Sequence, residues 1–338
     1  MSKKILLALA LVALAASVFA QGKLGVCIYK FDDTFMSYVR NQIETAAKGK
    51  IDISVQDSQY DQPRQNDQVD QFITLGVNAL AINLVDPSAV SVIIGKAQKK
   101  NLPLVLFNRE PAAADMAKYD KAYYVGAKAQ ESGTMEGEIV AEYWKKNPQA
   151  DLNKDGKMQY VMLIGDPSNT DAKYRTEYSI KAITAAGIKV EKVAEDTAMW
   201  DRPKAQEKMA AWLTAYRGKI EVVIANNDDM ALGAIEALKA AGYFRGGKYM
   251  PVVGVDATPP AMDALDKGLL LGTVLNDAKN QGQATFDLAY CLATGKPITT
   301  TAGKLADANG KVDPKGKYIW VPYVKVTPEN FDAIRAAY

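Results

Sequence analysis

From Lys23 onward, short runs of apolar residues alternate with longer stretches in which apolar positions recur at helical spacing. The first pattern is that of strands buried on both faces, the second that of amphipathic helices. Residues 24–29 read as a strand and 35–48 as a helix. Strands at 51–55, 79–85 and 104–107 follow, with helices over 65–75 and 88–99 between them. Asp86-Pro87-Ser88 supplies a helix start, and Lys96, Lys99 and Lys100 complement the dipole at that helix's end. A strand at 123–126 and a helix over 131–146 complete this series. After the polar stretch 148–157 the alternation restarts, with strands at 160–164, 190–193, 221–225, 252–255 and 271–275. Helices over 171–185, 204–216, 228–241 and 259–267 separate them. Residues 299–317 are polar and read as an exposed loop or β-ribbon, before an apolar strand at 320–326. Two consecutive βα series predict an α/β protein of two similar lobes, each a parallel sheet covered by helices.

Residues 1–20 break the pattern. Lys3 and Lys4 precede an apolar stretch over 5–16, and small Ala20 precedes Gln21, which is the layout of a secretory signal. Its apolar core is shorter than the roughly 20 residues that span a bilayer, and no Cys follows the cleavage point to carry a lipid. Loss of Lys3 and Lys4 takes the formal charge from +2 to 0, which leaves no electrostatic footprint for nucleic acid. The first strand turns into Tyr29-Lys30-Phe31-Asp32-Asp33 rather than a Gly-rich loop, and there is no P-loop, so no bound nucleotide is expected. With no His in the chain, Ser-His-Asp and Cys-His machinery and His-ligated metals are excluded. Cys27, in a predicted strand, and Cys291, in a predicted helix, can pair in an oxidising compartment, but two buried, inert thiols are the commoner outcome.

Ligand groups in parallel sheets collect past the carboxyl ends of the strands. Those positions hold Asp32, Asp33 and Phe35; Asn108, Arg109 and Glu110; Asp166, Asn169, Asp171 and Arg175; Asn227 and Asp228; Asp256; and Asn276 and Asp277. Trp200 stands among polar neighbours at 197–201. Carboxylates and amides accept and donate in the plane of sugar hydroxyls, Arg adds a planar donor fork, and Phe35 and Trp200 offer faces for the C–H side of a pyranose. Any one Asp or Asn can equally be a cap or a turn former. The set, with its two aromatics, points to a polyhydroxylated ligand.

A second motif is local. Asp151, Asn153, Asp155 and Gln159 occupy positions 1, 3, 5 and 9 of an EF-hand-like loop, with Gly156 at 6 and the Lys157 carbonyl at 7. Position 12, where the bidentate Glu belongs, is Met162. Glu221 opens the apolar run 222–225, and an acid at the start of a buried strand needs a partner, so it is the candidate to close the shell. A solvated Asp/Asn turn is the plainer alternative. No flanking helix pair is evident, so a structural Ca²⁺ fits better than a calcium sensor.

Several stretches resemble the galactose- and glucose-binding members of the sugar-binding periplasmic binding proteins, over nearly the whole chain. They are IYKFDDTFMS at 28–37, INLVDPSA at 82–89, FNREP at 107–111, YDKAYYVG at 119–126, DLNKDGKMQ at 151–159, DTAMWD at 196–201, EVVIANND at 221–228, GVDA at 254–257 and TVLNDA at 273–278. The resemblance implies a type I fold of two Rossmann-like lobes joined by a three-strand hinge, here 21–127 with 276–320 and 128–275 with 321–338. It implies sugar contacts at Tyr29, Asp33, Phe35, Asn108, Asp171, Arg175, Trp200, Asn227, Asp256 and Asn276, with Phe35 and Trp200 sandwiching the ring and Asp33 holding the C4 hydroxyl. Asn169 stands where the family has a His of the sugar site; it donates and accepts but does not titrate near neutrality. The family's Ca²⁺ ligands fall on Asp151, Asn153, Asp155, Lys157 through its carbonyl, Gln159 and Glu221. The region 303–317 departs from the family pattern.

The expectation is an exported, non-enzymatic, monomeric receptor for D-glucose and D-galactose that serves a membrane ABC importer and a chemoreceptor; those partners come from the resemblance alone. A receptor for ribose, xylose or another sugar is the nearer alternative, given Asn169. A carbohydrate-active enzyme using Asp171 and Asp256 as its acid pair is the alternative of another class.

Overall fold

The computed structural model describes residues 22–337; the predicted export signal at 1–20 lies outside them. The first series is β1 (Lys23–Ile28), α1 (Thr34–Ala47), β2 (Asp52–Asp57), α2 (Gln62–Thr74), β3 (Ala79–Ile82), α3 (Val90–Lys99), β4 (Leu104–Phe107), the short α4 (Ala113–Met116) and β5 (Ala122–Gly126). The second is α5 (Ala129–Lys146), β6 (Lys157–Ile164), α6 (Thr170–Ala185), β7 (Lys189–Thr197), α7 (Arg202–Ala215), β8 (Val222–Ala225), α8 (Asp228–Ala240), β9 (Val252–Val253), α9 (Pro259–Asp266) and β10 (Thr273–Leu275). The chain ends with α10 (Ala278–Thr294), β11 (Leu305–Ala306), β12 (Tyr318–Trp320), β13 (Val324–Val326) and α11 (Phe331–Ala337).

These strands form a seven-stranded sheet in the order β11-β12-β5-β4-β3-β1-β2 and a four-stranded sheet in the order β7-β6-β8-β9. Every pairing is parallel except β11 with β12. The antiparallel pair β10–β13 joins the second sheet through bridges Val253–Gly272 and Asp256–Leu275. The chain therefore passes between lobes three times: from β5 to α5, from β10 to α10, and from β12 to β13.

Strand alternation builds a core on each face of each sheet. In the first lobe Leu24, Val26 and Ile28 face α1 and α10, while Cys27, Leu80 and Ile82 face α2 and α3. In the second, Val161, Leu163 and Val223 face α7 and α8, while Met162, Val222 and Ile224 face α5 and α6. Cys27 and Cys291 are buried, free thiols. Helices α5 and α6 approach so closely that a Cβ on Gly137 would lie 2.3 Å from the Ser179 carbonyl oxygen, which sets the position of the helix bearing Asp171 and Arg175.

Two expectations need correction. The strand predicted at 320–326 is two strands in different sheets, because Pro322 has no N–H for a ladder and 321–323 carry the chain across. The predicted helix 88–99 opens with a 3-10 turn, Pro87–Ala89, on which Asp86 accepts the Ser88 N–H at 2.8 Å. Helix α10, expected around Cys291 but without bounds, covers the first sheet on the side of α1.

Candidate functional site

The carboxyl ends of both sheets face one another across a cavity. Tyr29, Asp33, Phe35, Met36, Asn108 and Arg109 line it from the first lobe. Asn169, Asp171, Arg175, Trp200, Asn227 and Asp256 line it from the second, and Asn276 from a crossing segment. All eleven sugar-site candidates lie on this wall. Arg109 was singled out by position but given no role, and Met36 gave no signal apart from its place in the first turn of α1.

Cap and cavity-wall readings turn out to describe the same residues. Asp33 caps α1 by accepting the Met36 N–H at 2.7 Å through Oδ1, while Oδ2 accepts the Tyr29 hydroxyl at 2.5 Å. Asn169 caps α6 through the Asp171 N–H at 3.0 Å, and Asn227 caps α8 through the Met230 N–H at 3.0 Å. Each cap is therefore held in one rotamer while its side chain still lines the cavity. Rigid polar walls of this kind lower the ordering cost of binding.

Arg175 organises the second lobe's wall. Its Nη1 donates to the Asn226 carbonyl at 2.8 Å, and its Nη2 to Tyr323 Oη at 3.2 Å and Asp171 Oδ2 at 3.4 Å. Asp256 Oδ1 lies 3.9 Å from Nη1. Burial raises the pKa of both carboxyls, and Arg175 opposes the rise. Asn276 donates to Asp256 at 3.1 Å and in turn accepts from Gln281. Left-handed φ values gather on this wall and next to it in the chain: +64° at Asn108 and +64° at Trp200 on the wall, +56° at the preceding Met199, and +54° at Ala257 after Asp256. Non-glycine residues held there store backbone strain, which surrounding structure must overcome.

Other strand-end polar residues have structural duties. Asn226 Oδ1 accepts the Gly165 N–H, and Asp228 accepts from Thr258 N and Thr273 Oγ1, so both pin neighbouring segments without reaching the cavity. Asp277 caps α10, Asp32 is exposed beside Lys30, and Asp166 pairs with Arg109. A larger groove of about 1090 Å³ lies at the amino ends of β8 and β9. Its one lining carboxylate, Glu221, is already bonded to main-chain N–H groups.

At the start of β6 the predicted loop is closed by its own side chains. Asp151 accepts from Gly156 N, Asn153 from Asp155 N, and Asp155 from Lys157 N and Gln159 Nε2. Glu221 lies across the loop, accepting Leu152 N at 2.6 Å and Gln159 N at 2.9 Å. Lys157 turns its ammonium outward to Glu191, 2.8 Å away. Asp151 Oδ1 and Gln159 Oε1 are buried without a hydrogen-bond partner. Among the described residues no three acidic, Cys or His side chains converge as a metal cage; the donors here include amide and main-chain oxygens. Two orphaned oxygens in an otherwise bonded all-oxygen loop fit a hard cation.

Two α/β lobes, three crossings and a polar, aromatic-walled cavity between facing strand ends define a bilobal ligand-binding protein. The family model for a periplasmic binding protein domain matches residues 24–297, and the chain belongs to that family. It is 47% identical over 326 residues to the D-galactose/methyl-galactoside binding periplasmic protein MglB of Haemophilus influenzae, covering 96% of this chain and 95% of that one. It is 32% identical to a putative rhizopine-binding protein of Rhizobium meliloti, covering 91% and 99%. Among solved structures, an ABC transporter solute binding protein from Bacillus halodurans with bound myo-inositol matches with a TM-score of 0.79 and 29% identity, over 96% of this chain and all of that one.

Proposed function

We propose that the protein is an exported, periplasmic receptor for a neutral hexose, D-glucose and D-galactose. It takes the sugar between two closing lobes and delivers it to an ABC importer, and it also presents the closed form to a chemoreceptor. The observation that carries this reading is the convergence of carboxylates, amides, Arg175, Phe35 and Trp200 from both lobes on one cavity. Such a wall offers paired donors and acceptors for ring hydroxyls and apolar faces for the ring. The Haemophilus influenzae relative named for D-galactose supports the choice of hexose.

Asn169 favours weighing a second sugar class, because a short amide reaches less far than an imidazole. A calorimetric competition series over hexoses and pentoses tests this, and tighter binding of ribose or xylose would transfer the assignment to a pentose. The enzyme reading is disfavoured by geometry. Asp171 and Asp256 both lean on Arg175, whereas a glycosidase holds its acids on either side of the bond to be cut.

We further propose that Asp151, Asn153, Asp155, the Lys157 carbonyl, Gln159 and Glu221 hold a structural Ca²⁺. The ion would supply positive charge to three carboxylates and tie the loop to the start of β8.

A further inference from the structure

Outside the crossing segments, the side-chain hydrogen bonds between the lobes end on one atom, Asp166 Oδ2, among the described residues. Arg109 Nη1 donates to it at 2.9 Å and Tyr60 Oη at 2.8 Å. Both donors belong to the first lobe and Asp166 to the second. Arg109 and Asp166 side chains are 1% and 3% exposed, so the pair is shielded from water. Asp166 is nevertheless absent from the cavity wall.

Each partner is fixed within its own lobe before it meets the other. Asp166 Oδ1 accepts Ser168 N at 2.9 Å and Ser168 Oγ at 2.7 Å. Arg109 Nη1 also donates to the Val85 carbonyl at 2.6 Å, and its guanidinium lies 3.8 Å from the centre of the Tyr29 ring. Tyr60 is seated by its own N–H on the Tyr29 carbonyl at 2.7 Å. Burial alone would raise the Asp166 carboxyl, but the charge of Arg109 and the bonds from Ser168 and Tyr60 bring it below the usual carboxylate range. Its four accepted bonds fill an ionised carboxylate. Rotating the lobes apart must break two of these bonds together, both made to a charged acceptor, which are the stronger kind.

The latch is continuous with the cavity. Tyr29, on which Arg109 stacks, donates its hydroxyl to Asp33, and Arg109 itself lines the wall with a buried Nη2 that has no partner. We propose that Asp166 is a positioning residue for ligand retention: it clasps Arg109 and Tyr60 across the cleft, holds the closed form shut and slows release of the sugar without touching it. This rests on the reading of the cavity as a hexose site.

Stopped-flow kinetics with D-galactose on wild type, Asp166→Asn and Tyr60→Phe test it, beside thermal melts and small-angle scattering of each protein. The latch predicts a release rate roughly tenfold or more faster in Asp166→Asn, and a smaller rise in Tyr60→Phe. Association rate and melting temperature should stay near wild type, because the bonds run between the lobes and not within either one. Unchanged release in Asp166→Asn would overturn the proposal. So would a loss of association rate and melting temperature together, which would mark Asp166 as a fold residue. Should wild type bind neither galactose nor glucose, the hexose reading fails by itself. The latch is then decided by scattering: expansion of Asp166→Asn relative to wild type supports it, and equal radii overturn it.

Discussion

A Cβ placed on Gly165 would lie 2.3 Å from the six-membered ring of Trp200. The glycine at the end of β6 thus provides the space into which the indole packs as it lines the cavity. Gly165→Ala is expected to push the ring toward the ligand space and weaken hexose binding by roughly tenfold or more, since overpacking of a fixed aromatic costs about 1–3 kcal/mol. Trp200→Ala should cost about 2 kcal/mol of sugar affinity through loss of the stacking face. Calorimetry on both variants checks this; wild-type affinity in Trp200→Ala would remove Trp200 from the site.

Asn169 has two duties that substitution can separate. Asn169→Ala removes the oxygen that caps α6 and should cost about 1 kcal/mol of stability, together with some affinity. Asn169→Asp keeps a capping oxygen but loses the amide donor to the cavity. It should hold the melting temperature while binding sugar more weakly. Equal affinity in wild type and Asn169→Asp would show that the amide does not reach the ligand.

Glu110 makes stability depend on pH. Burial, then the nearby charge of Asp171, pushes its pKa up to about 7, with Lys128 opposing. The folded protein therefore holds this proton through a range where the unfolded chain releases it. Stability from this group is complete below its unfolded pKa and falls as pH rises through about 7. Glu110→Gln should be more stable than wild type at about pH 8, by on the order of 2–3 kcal/mol, and equal to it near about pH 4. Denaturant melts at both pH values check the sign; equal stability at the higher value would contradict it.

Much of this architecture was legible because its signals are local. The wholly apolar run of β8 announces a central strand, and the strand-end rule marks Asp33, Asn108, Asp171, Asn227 and Asp256, all on the cavity wall. Tyr29 came only through the resemblance, since a Tyr ending an apolar strand looks like core. The extent of helix α10 was not legible around Cys291 because its first turn is polar and its apolar face sparse. Its end signals were nonetheless present, in the Asp277 cap and the left-handed Gly295 at φ +66°. The division of 318–326 between two sheets turns on Pro322, a residue that should have halted the strand. The role of Arg109 was illegible for a different reason: its partner Asp166 is 57 positions away, in the other lobe.

The strand 222–225 separates the two proposed sites, with Glu221 before it and Asn227 after it. If the loop at 151–159 holds Ca²⁺, chelation should lower the melting temperature by several degrees, as expected when a ligand of the folded state is withdrawn. Sugar affinity at moderate temperature should change little, because no loop residue lines the cavity. Asp151→Ala should lower the melting temperature likewise and abolish the response to chelator. A chelator response undiminished in Asp151→Ala would place the ion elsewhere.

The central claim is that the cavity takes a neutral hexose. Titration calorimetry of the protein with D-glucose and with D-galactose tests it most directly. The structure predicts one-to-one saturable binding to at least one of them, with a dissociation constant well below about 1 mM, or more than about 4 kcal/mol of binding free energy. Absence of saturable heat with both sugars at millimolar concentration would contradict it.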